Sequence, residues 1–316
     1  FSGETIVMLR HLLHISLFLI VSCALAACSQ RDGGERAMYY WRTSLSLSTQ
    51  ERAFLRQHNV RRLYVRYFDV VPTDDEGNQP NATITFDDSL PKGVEIVPTV
   101  YILNDCMRSD DPLLAERILK RVRQMNETND VGQLRQLQID CDWTIQTRGR
   151  FFDFLGRLRA LCRQGGILLS ATIRLHQLSQ PVPPVDRGVL MVYNTGDVTR
   201  LDCQKPILDL DDVKPYIHHL DHYKLPLSAA YPLFAWRVLF RGGRYVGIMH
   251  GDDDLPVLRG DSIVIRQPSA ADISGAEGVI GRHRPDIHSE LILYDLSKQN
   301  INRFKSTDYE KIFSAR

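Results

Sequence analysis

The chain has 316 residues, with 39 Lys+Arg against 38 Asp+Glu and 43% apolar side chains, a make-up that excludes disorder as its main state. A net charge of +1 provides no strongly basic surface for counterion-release binding, so nucleic acid is not expected as a partner. Gly at 20 and Pro at 15 are near average, and no period of about 20 to 50 residues recurs, which removes low-complexity, solenoid and propeller architectures.

From Met8 the sequence runs through Arg10 and His11 into an apolar segment at 12–21, then small residues, then Leu25-Ala26-Ala27-Cys28. At roughly ten residues the apolar run is too short for a bilayer core that needs about 20, so it reads as an export signal rather than a membrane span. The Leu-Ala-Ala-Cys ending resembles the bacterial lipoprotein signal, which implies cleavage before Cys28, a lipid on its sulfur and a partner membrane. Ser29, where Asp would signal inner-membrane retention, points to the outer membrane. Residues 1–7 precede the plausible start at Met8. The expected organisation is upstream residues and signal at 1–27, a lipidated tether at 28–36 and one folded domain at 37–316. Four further cysteines, Cys106, Cys141, Cys162 and Cys203, contain no Cys-x-x-Cys pair, so zinc-ribbon and thioredoxin chemistry are not supported. An exported chain can form disulfides, but the spacing does not fix a pairing.

Beyond the tether, short β-rich apolar runs alternate with amphipathic stretches, the pattern of α/β proteins. Strands are expected at 37–41, 63–68, 94–102, 137–142, 166–173, 189–194, 227–231 and 291–296. Helices are expected at 111–125 and at 147–164, where Phe151, Phe154, Leu155, Leu158 and Leu161 share one face. Eight β-then-α units predict a (β/α)8 barrel. A doubly wound open sheet is the alternative, and no Gly-x-Gly-x-x-Gly follows the first strand to favour it. Between strands seven and eight, 236–248 reads as an inserted hairpin turning at Gly242-Gly243. The Asp252-Asp253-Asp254 run lacks the spacing of a calcium loop and reads as a solvated acidic loop. A helix at 211–223 places His218 and His222 one turn apart, but no His-Glu-x-x-His pattern completes a zinc site, and neither metal nor cofactor is expected.

In a barrel the reactive groups sit at the C-terminal strand ends. Strand four, Gln138-Ile139-Asp140-Cys141-Asp142-Trp143-Thr144, aligns Asp140, Asp142 and Thr144 on one face by the period of two. Two inward carboxylates require compensating charge, and their repulsion raises one pKa toward that of a general acid. Asp142 with Asp140 is therefore the candidate catalytic pair, and Arg66 or Arg174 could instead neutralise them as structural ion pairs. Arg66 and Asp69 end strand two. Arg174 and His176 close the polar face of strand five that begins at Ser170 and Thr172. Trp41, Trp143, Tyr193, Tyr231 and Trp236 are aromatics on which a pyranose ring could stack, with core packing the alternative for each.

Residues 138–144 resemble the strand-four signature of glycoside hydrolase family 18, the chitinases and their relatives: Asp-x-x-Asp-x-Asp-x-Glu. Met191-Val192-Tyr193-Asn194 resembles that family's strand-six Met-x-Tyr-Asp. The resemblance implies a barrel that takes a carbohydrate, with Asp140 and Asp142 in the acidic positions and Tyr193 and Asn194 beside the ligand. Leu137 stands at the first acidic position, Thr144 at the proton-donating Glu and Asn194 at the second motif's Asp. In the family the substrate's acetamido group attacks while the Glu protonates the leaving oxygen, a step that a Thr hydroxyl cannot supply. Two functions stay open. One is a lipid-anchored glycosidase of altered mechanism, with Asp142 as acid/base, Asp140 tuning it, and Arg66, Asp69, Arg174, His176, Tyr193, Asn194 and Trp236 holding the glycan. The other is a glycan-binding or scaffold lipoprotein without hydrolysis.

Overall fold

The computed structural model describes residues 34–74, 77–251 and 254–314. The signal segment and Cys28 lie outside the described residues. Among the described residues eight barrel strands follow in chain order: β1 (Glu35–Tyr40), β2 (Arg62–Thr73), β3 (Glu95–Ile102), β4 (Gln136–Asp140), β5 (Leu168–Arg174), β6 (Arg187–Met191), β7 (Leu227–Pro232) and β8 (Glu290–Tyr294). Each pairs in parallel with its sequence neighbours. β1 then pairs with β8 on one side (Ala37↔Ile292) and with β2 on the other (Met38↔Leu63), which closes the sheet into a barrel. The strand expected near each of the eight apolar runs is present, and the open-sheet alternative is removed by that closure.

Among the described residues six α-helices pack around the strands: α1 (Thr49–Gln57), α2 (Leu114–Thr128), α3 (Arg148–Gln164), α4 (Leu210–Ile217), α5 (Ala270–His283) and α6 (Ser306–Phe313). α1 starts on a capping box in which Ser48 and Glu51 satisfy each other's backbone N–H groups. α3 buries Phe151, Phe154, Leu155 and Leu158 as its periodicity requires, with Cys162 extending the stripe.

Two of the eight expected β-then-α units lack an α-helix. β2 runs on into an antiparallel pairing with Gly77–Asn81 in place of a helix. After β5 a 3-10 turn, Leu175–Ser179, leads into Pro181, Pro183 and Pro184, which cannot continue a helix. The insertion between β7 and β8 is larger than a hairpin. Trp236–Arg241 and Arg244–Met249 turn at Gly242 and Gly243, both with positive φ, and Asp261–Arg266 adds a third antiparallel strand.

Most of the apolar core lies between the strands and the outer helices. The barrel's interior is a smaller apolar layer, including Ala37, Val97, Val189 and Ile292, set between polar layers at both ends. At the N-terminal end Glu290, 2% exposed, accepts hydrogen bonds from Arg62 (2.6 Å), the Tyr64 hydroxyl (3.0 Å) and Ser228 (2.7 Å). Tyr39 and Thr99 both donate to the Gln138 side-chain oxygen, at 2.7 and 3.3 Å, and form the floor on which the opposite end is built.

Candidate carbohydrate site at the barrel mouth

Above that floor the C-terminal ends of the strands surround an open hollow of about 490 Å³. Two larger hollows, of about 690 and 570 Å³, lie elsewhere, one against the start of α5 and one beside the N-terminal rim. Of these three hollows the mouth is the one that brings together the residue types the motifs point to.

β4 places Asp140 inward and 5% exposed, where it accepts from Thr172 Oγ1 at 2.6 Å and from Arg174 at 3.3 Å. Asp142 lies past the end of β4 with its side chain half exposed, and Arg174 Nε donates to it at 2.5 Å. One guanidinium thus bridges both carboxylates. Burial raises the Asp140 carboxyl above its ordinary range; Arg174 and Thr172 pull it back, while Asp142 and Asp69 add to the rise. The same desolvation acts against the charge on Arg174, but Asp140, Tyr193 and Asp142 outweigh it and hold its pKa well above the usual value.

Arg66 and Asp69, both from β2, form a bidentate pair beside the mouth. Simple alternation along β2 would send these two side chains to opposite faces. A β-bulge between Arg66 and Phe68 leaves Tyr67 and Phe68 both packed in the outer core and turns Asp69 back toward Arg66. The Arg66 guanidinium also lies 5.6 Å from the centre of the Trp41 ring.

Aromatic side chains make the walls. Trp41 packs on Tyr39 and Tyr294, Tyr193 on Tyr294 and Phe234, and Phe234 on Trp236, with ring centres 5.2 to 6.0 Å apart. Asn194 follows β6 with φ of +56°, a left-handed conformation that Asn tolerates better than most residues. Burial pushes the Tyr101 hydroxyl up to about 12, with Asp142 and Asp140 adding to the shift, so it stays a proton donor in hydrogen bonds across the physiological range.

Of the residues named from the sequence, Asp140, Asp142, Arg66, Arg174, Tyr193, Asn194, Trp41 and Trp236 meet at this hollow. Asp69 stands behind Arg66 rather than on the lining. His176 does not join them: β5 ends at Arg174, and the following 3-10 turn carries His176 out to solvent. Trp143 is buried against Phe151 and Phe152 of α3. The Tyr231 hydroxyl bonds His288 at 2.8 Å among the outer packing. Thr144 is exposed, and its backbone N–H is bound by Thr147 Oγ1 at 2.9 Å, just ahead of α3.

Sequence reasoning missed Tyr101, Phe234, His250 and Tyr294, which also line the hollow. Inward alternation from Val97 through Thr99 could have marked Tyr101, and the position of Tyr294 at the end of β8 could have marked it too. Phe234 and His250 lie outside the barrel strands, where no periodicity aims a side chain. Asp254 accepts from the backbone N–H groups of His250 and Gly251, at 2.5 and 2.6 Å, and shapes that loop. Cys106, Cys141, Cys162 and Cys203 are all free thiols. Among the described residues no group of three His, Cys, Asp or Glu side chains could hold a metal ion.

No family model matches the sequence, and no curated protein matches it. Solved structures do. The spore cortex-lytic enzyme SleL of Bacillus megaterium QM B1551 superposes with a TM-score of 0.58 at 10% identity, over 91% of this chain and 75% of that one. A chitinase from Chromobacterium violaceum ATCC 12472 gives 0.58 at 10% identity over 89% and 98% of the two chains. The second catalytic domain of the Ostrinia furnacalis Group II chitinase, as an E2180L mutant in complex with penta-N-acetylchitooctaose, gives 0.52 at 11% identity over 89% and 96%. At these identities the likeness is one of fold, and it agrees with the resemblance carried by strands four and six: the chain is a closed (β/α)8 barrel of the kind found in chitinases and spore cortex-lytic enzymes.

Proposed function

We propose that this barrel binds a carbohydrate chain in its mouth, on a protein held at the bacterial envelope by lipid on Cys28. The observation that carries the binding reading is the arrangement of Trp41, Tyr193, Tyr294 and Trp236 around the Asp140–Arg174–Asp142 cluster in one open hollow. Aromatic faces next to fixed charged donors and acceptors are what a pyranose ring with its hydroxyls requires. The fold likeness to a chitinase solved with an N-acetylglucosamine oligomer supports glycans of that sugar as the first ligands to try.

Binding without hydrolysis is favoured by Arg174. A general acid must carry its proton near neutral pH, whereas Asp142 is half exposed and directly paired to a guanidinium. The motif position of the proton donor is occupied by Thr144, whose side chain faces Thr147 and solvent. A hydrolytic reading, with Asp142 as acid/base and Asp140 tuning it, keeps one supporting observation, the raised pKa of Asp140.

A glycan array combined with chromogenic N-acetylglucosaminides separates the two. The binding reading expects array signal without release of chromophore, and about tenfold weaker binding in Asp142→Asn, a loss of roughly 1.4 kcal/mol. Release of chromophore that disappears in Asp142→Asn would establish the hydrolase instead. The anchor is supported by the order of charged, apolar and Leu-Ala-Ala-Cys segments around residues 10–28, and outer-membrane address by Ser29. Among the described residues no helix is long and apolar enough to cross a membrane. Palmitate labelling that persists in Cys28→Ser would remove the anchor.

A further inference from the structure

The N-terminal rim of the barrel carries a hollow of about 570 Å³ with a different chemistry from the mouth. Its walls are the end of α1 with the turn into β2, and the segment leading into β3. Arg56, Arg61 and Lys92 project there, all exposed, and none of the three has an ion-pair or hydrogen-bond partner for its side chain among the described residues. A fourth cation, Arg52, is held by Asp88 at 2.6 Å. Between them Leu90 and Val94 are only half buried. Three unneutralised cations around a partly apolar floor suit a phosphate ester that carries acyl chains.

The hollow also adjoins the place where the chain enters the barrel. The backbone N–H of Arg61 donates to the Arg36 carbonyl at 3.0 Å, within the first two residues of β1. Glu35 lies about seven residues after Cys28, a length that at full extension reaches about 25 Å. A lipid on Cys28 would therefore be joined to the start of β1, at this end of the barrel, by no more than that length of chain.

We infer that the Arg56–Arg61–Lys92 rim docks on anionic phospholipid headgroups, so that the carbohydrate mouth, at the opposite end of the barrel, faces away from the membrane. The orientation rests on the lipid-anchor reading; the headgroup preference of the rim does not. Each basic residue close to an anionic surface adds roughly a fivefold gain in partition, so the three together are worth on the order of a hundredfold.

The test uses the full chain carrying Cys28→Ser, co-sedimented with vesicles of phosphatidylcholine alone or with one third phosphatidylglycerol. Phosphatidylglycerol is expected to raise the bound fraction, and high salt to lower it again. Adding Arg56→Glu, Arg61→Glu and Lys92→Glu is expected to remove about a hundredfold of that gain, while partition onto phosphatidylcholine and the melting transition stay unchanged. Equal binding to both vesicle types, or an undiminished phosphatidylglycerol preference in the charge-reversed chain, overturns the docking surface. Mass spectrometry of the wild-type chain from a bacterial host checks the anchor separately: an unmodified Cys28 removes the tether and with it the outward orientation, whatever the sedimentation shows.

Discussion

The two ends of the barrel interior hold similar groups in opposite situations. At the N-terminal end the Glu290 carboxylate is sealed from solvent and receives Arg62, Tyr64 and Ser228, with Arg187 3.8 Å away. At the C-terminal end Asp140 is equally buried but receives only Thr172 and part of Arg174, whose remaining capacity goes to Asp142 at the edge of an open hollow. The first cluster is saturated by its own protein. The second leaves charge, exposed carboxylate oxygen and aromatic faces directed at solvent. A buried ion pair alone says little about function, because desolvation offsets its attraction; what marks a site is a cluster that still has bonding capacity and a path to it.

The largest expected effect falls on the sealed end. Glu290→Ala removes the acceptor shared by the buried Tyr64 and Ser228 hydroxyls and Arg62, which keeps Glu35 and Glu95, and should cost about 3 kcal/mol of stability in denaturant unfolding. A loss under 1 kcal/mol would break the distinction between the two ends.

A third acid sharpens the comparison because no cation pairs with it among the described residues. Glu277 of α5 is 2% exposed, one of its carboxylate oxygens has no partner, and burial raises its pKa to about 9. Between its ordinary value of 4.5 and about 9, the unfolded chain has lost a proton that the folded chain keeps. The Glu277 contribution therefore makes stability fall as pH rises through that window, by up to about 1.4 kcal/mol per unit, and adds nothing further above it, where the buried thiols Cys106 and Cys162, with pKa values raised by burial, take over. His288, held below its ordinary 6.5 by burial, acts on the acid side: stability falls as pH drops below that value, so the Glu277 effect is read most cleanly above about pH 7. Glu277→Gln should abolish the slope between about pH 7 and 9. Parallel pH–stability curves for variant and wild type would show that Glu277 ionises normally in the fold.

At the open end the effects should be smaller on stability and larger on ligand. Arg174→Met is expected to lose about 1–3 kcal/mol of stability, since Asp140 keeps Thr172 and Asp142 keeps solvent, and to abolish detectable glycan binding by calorimetry. Trp236→Ala, at the base of the inserted sheet, should weaken the glycan by about tenfold, or roughly 1.4 kcal/mol, and, because the half-buried ring packs on Phe234, cost about 1 kcal/mol of stability. Unaltered affinity in that variant would take the inserted sheet out of the site.

All eight strands could be read from the sequence because each is a short β-rich run bounded by turn residues, and burial on the barrel's outer face enforces that composition in every one. The limits of the periodicity show at the connections. The segment after β5 contains three prolines within four residues, yet an expectation of regular alternation still supplies a helix there. Asp140, Arg174 and Tyr193 were legible as site residues because they end strands of known direction. His176 was not separable from Arg174 by the same logic, since nothing in the alternation of Ser170, Thr172, Arg174 and His176 marks where extended backbone stops.

What the sequence determined on its own was the number and order of the eight barrel strands and the polar character of the β4 and β5 faces, which follow from local hydrophobic patterning. Only the tertiary structure decided which of those polar groups meet. The bulge after Arg66 turns Asp69 back to it against the period of two, and one guanidinium from β5 bridges two carboxylates contributed by β4. Such contacts depend on barrel closure and on where each strand ends, and these are set by the packing of distant segments rather than by any residue's immediate neighbours.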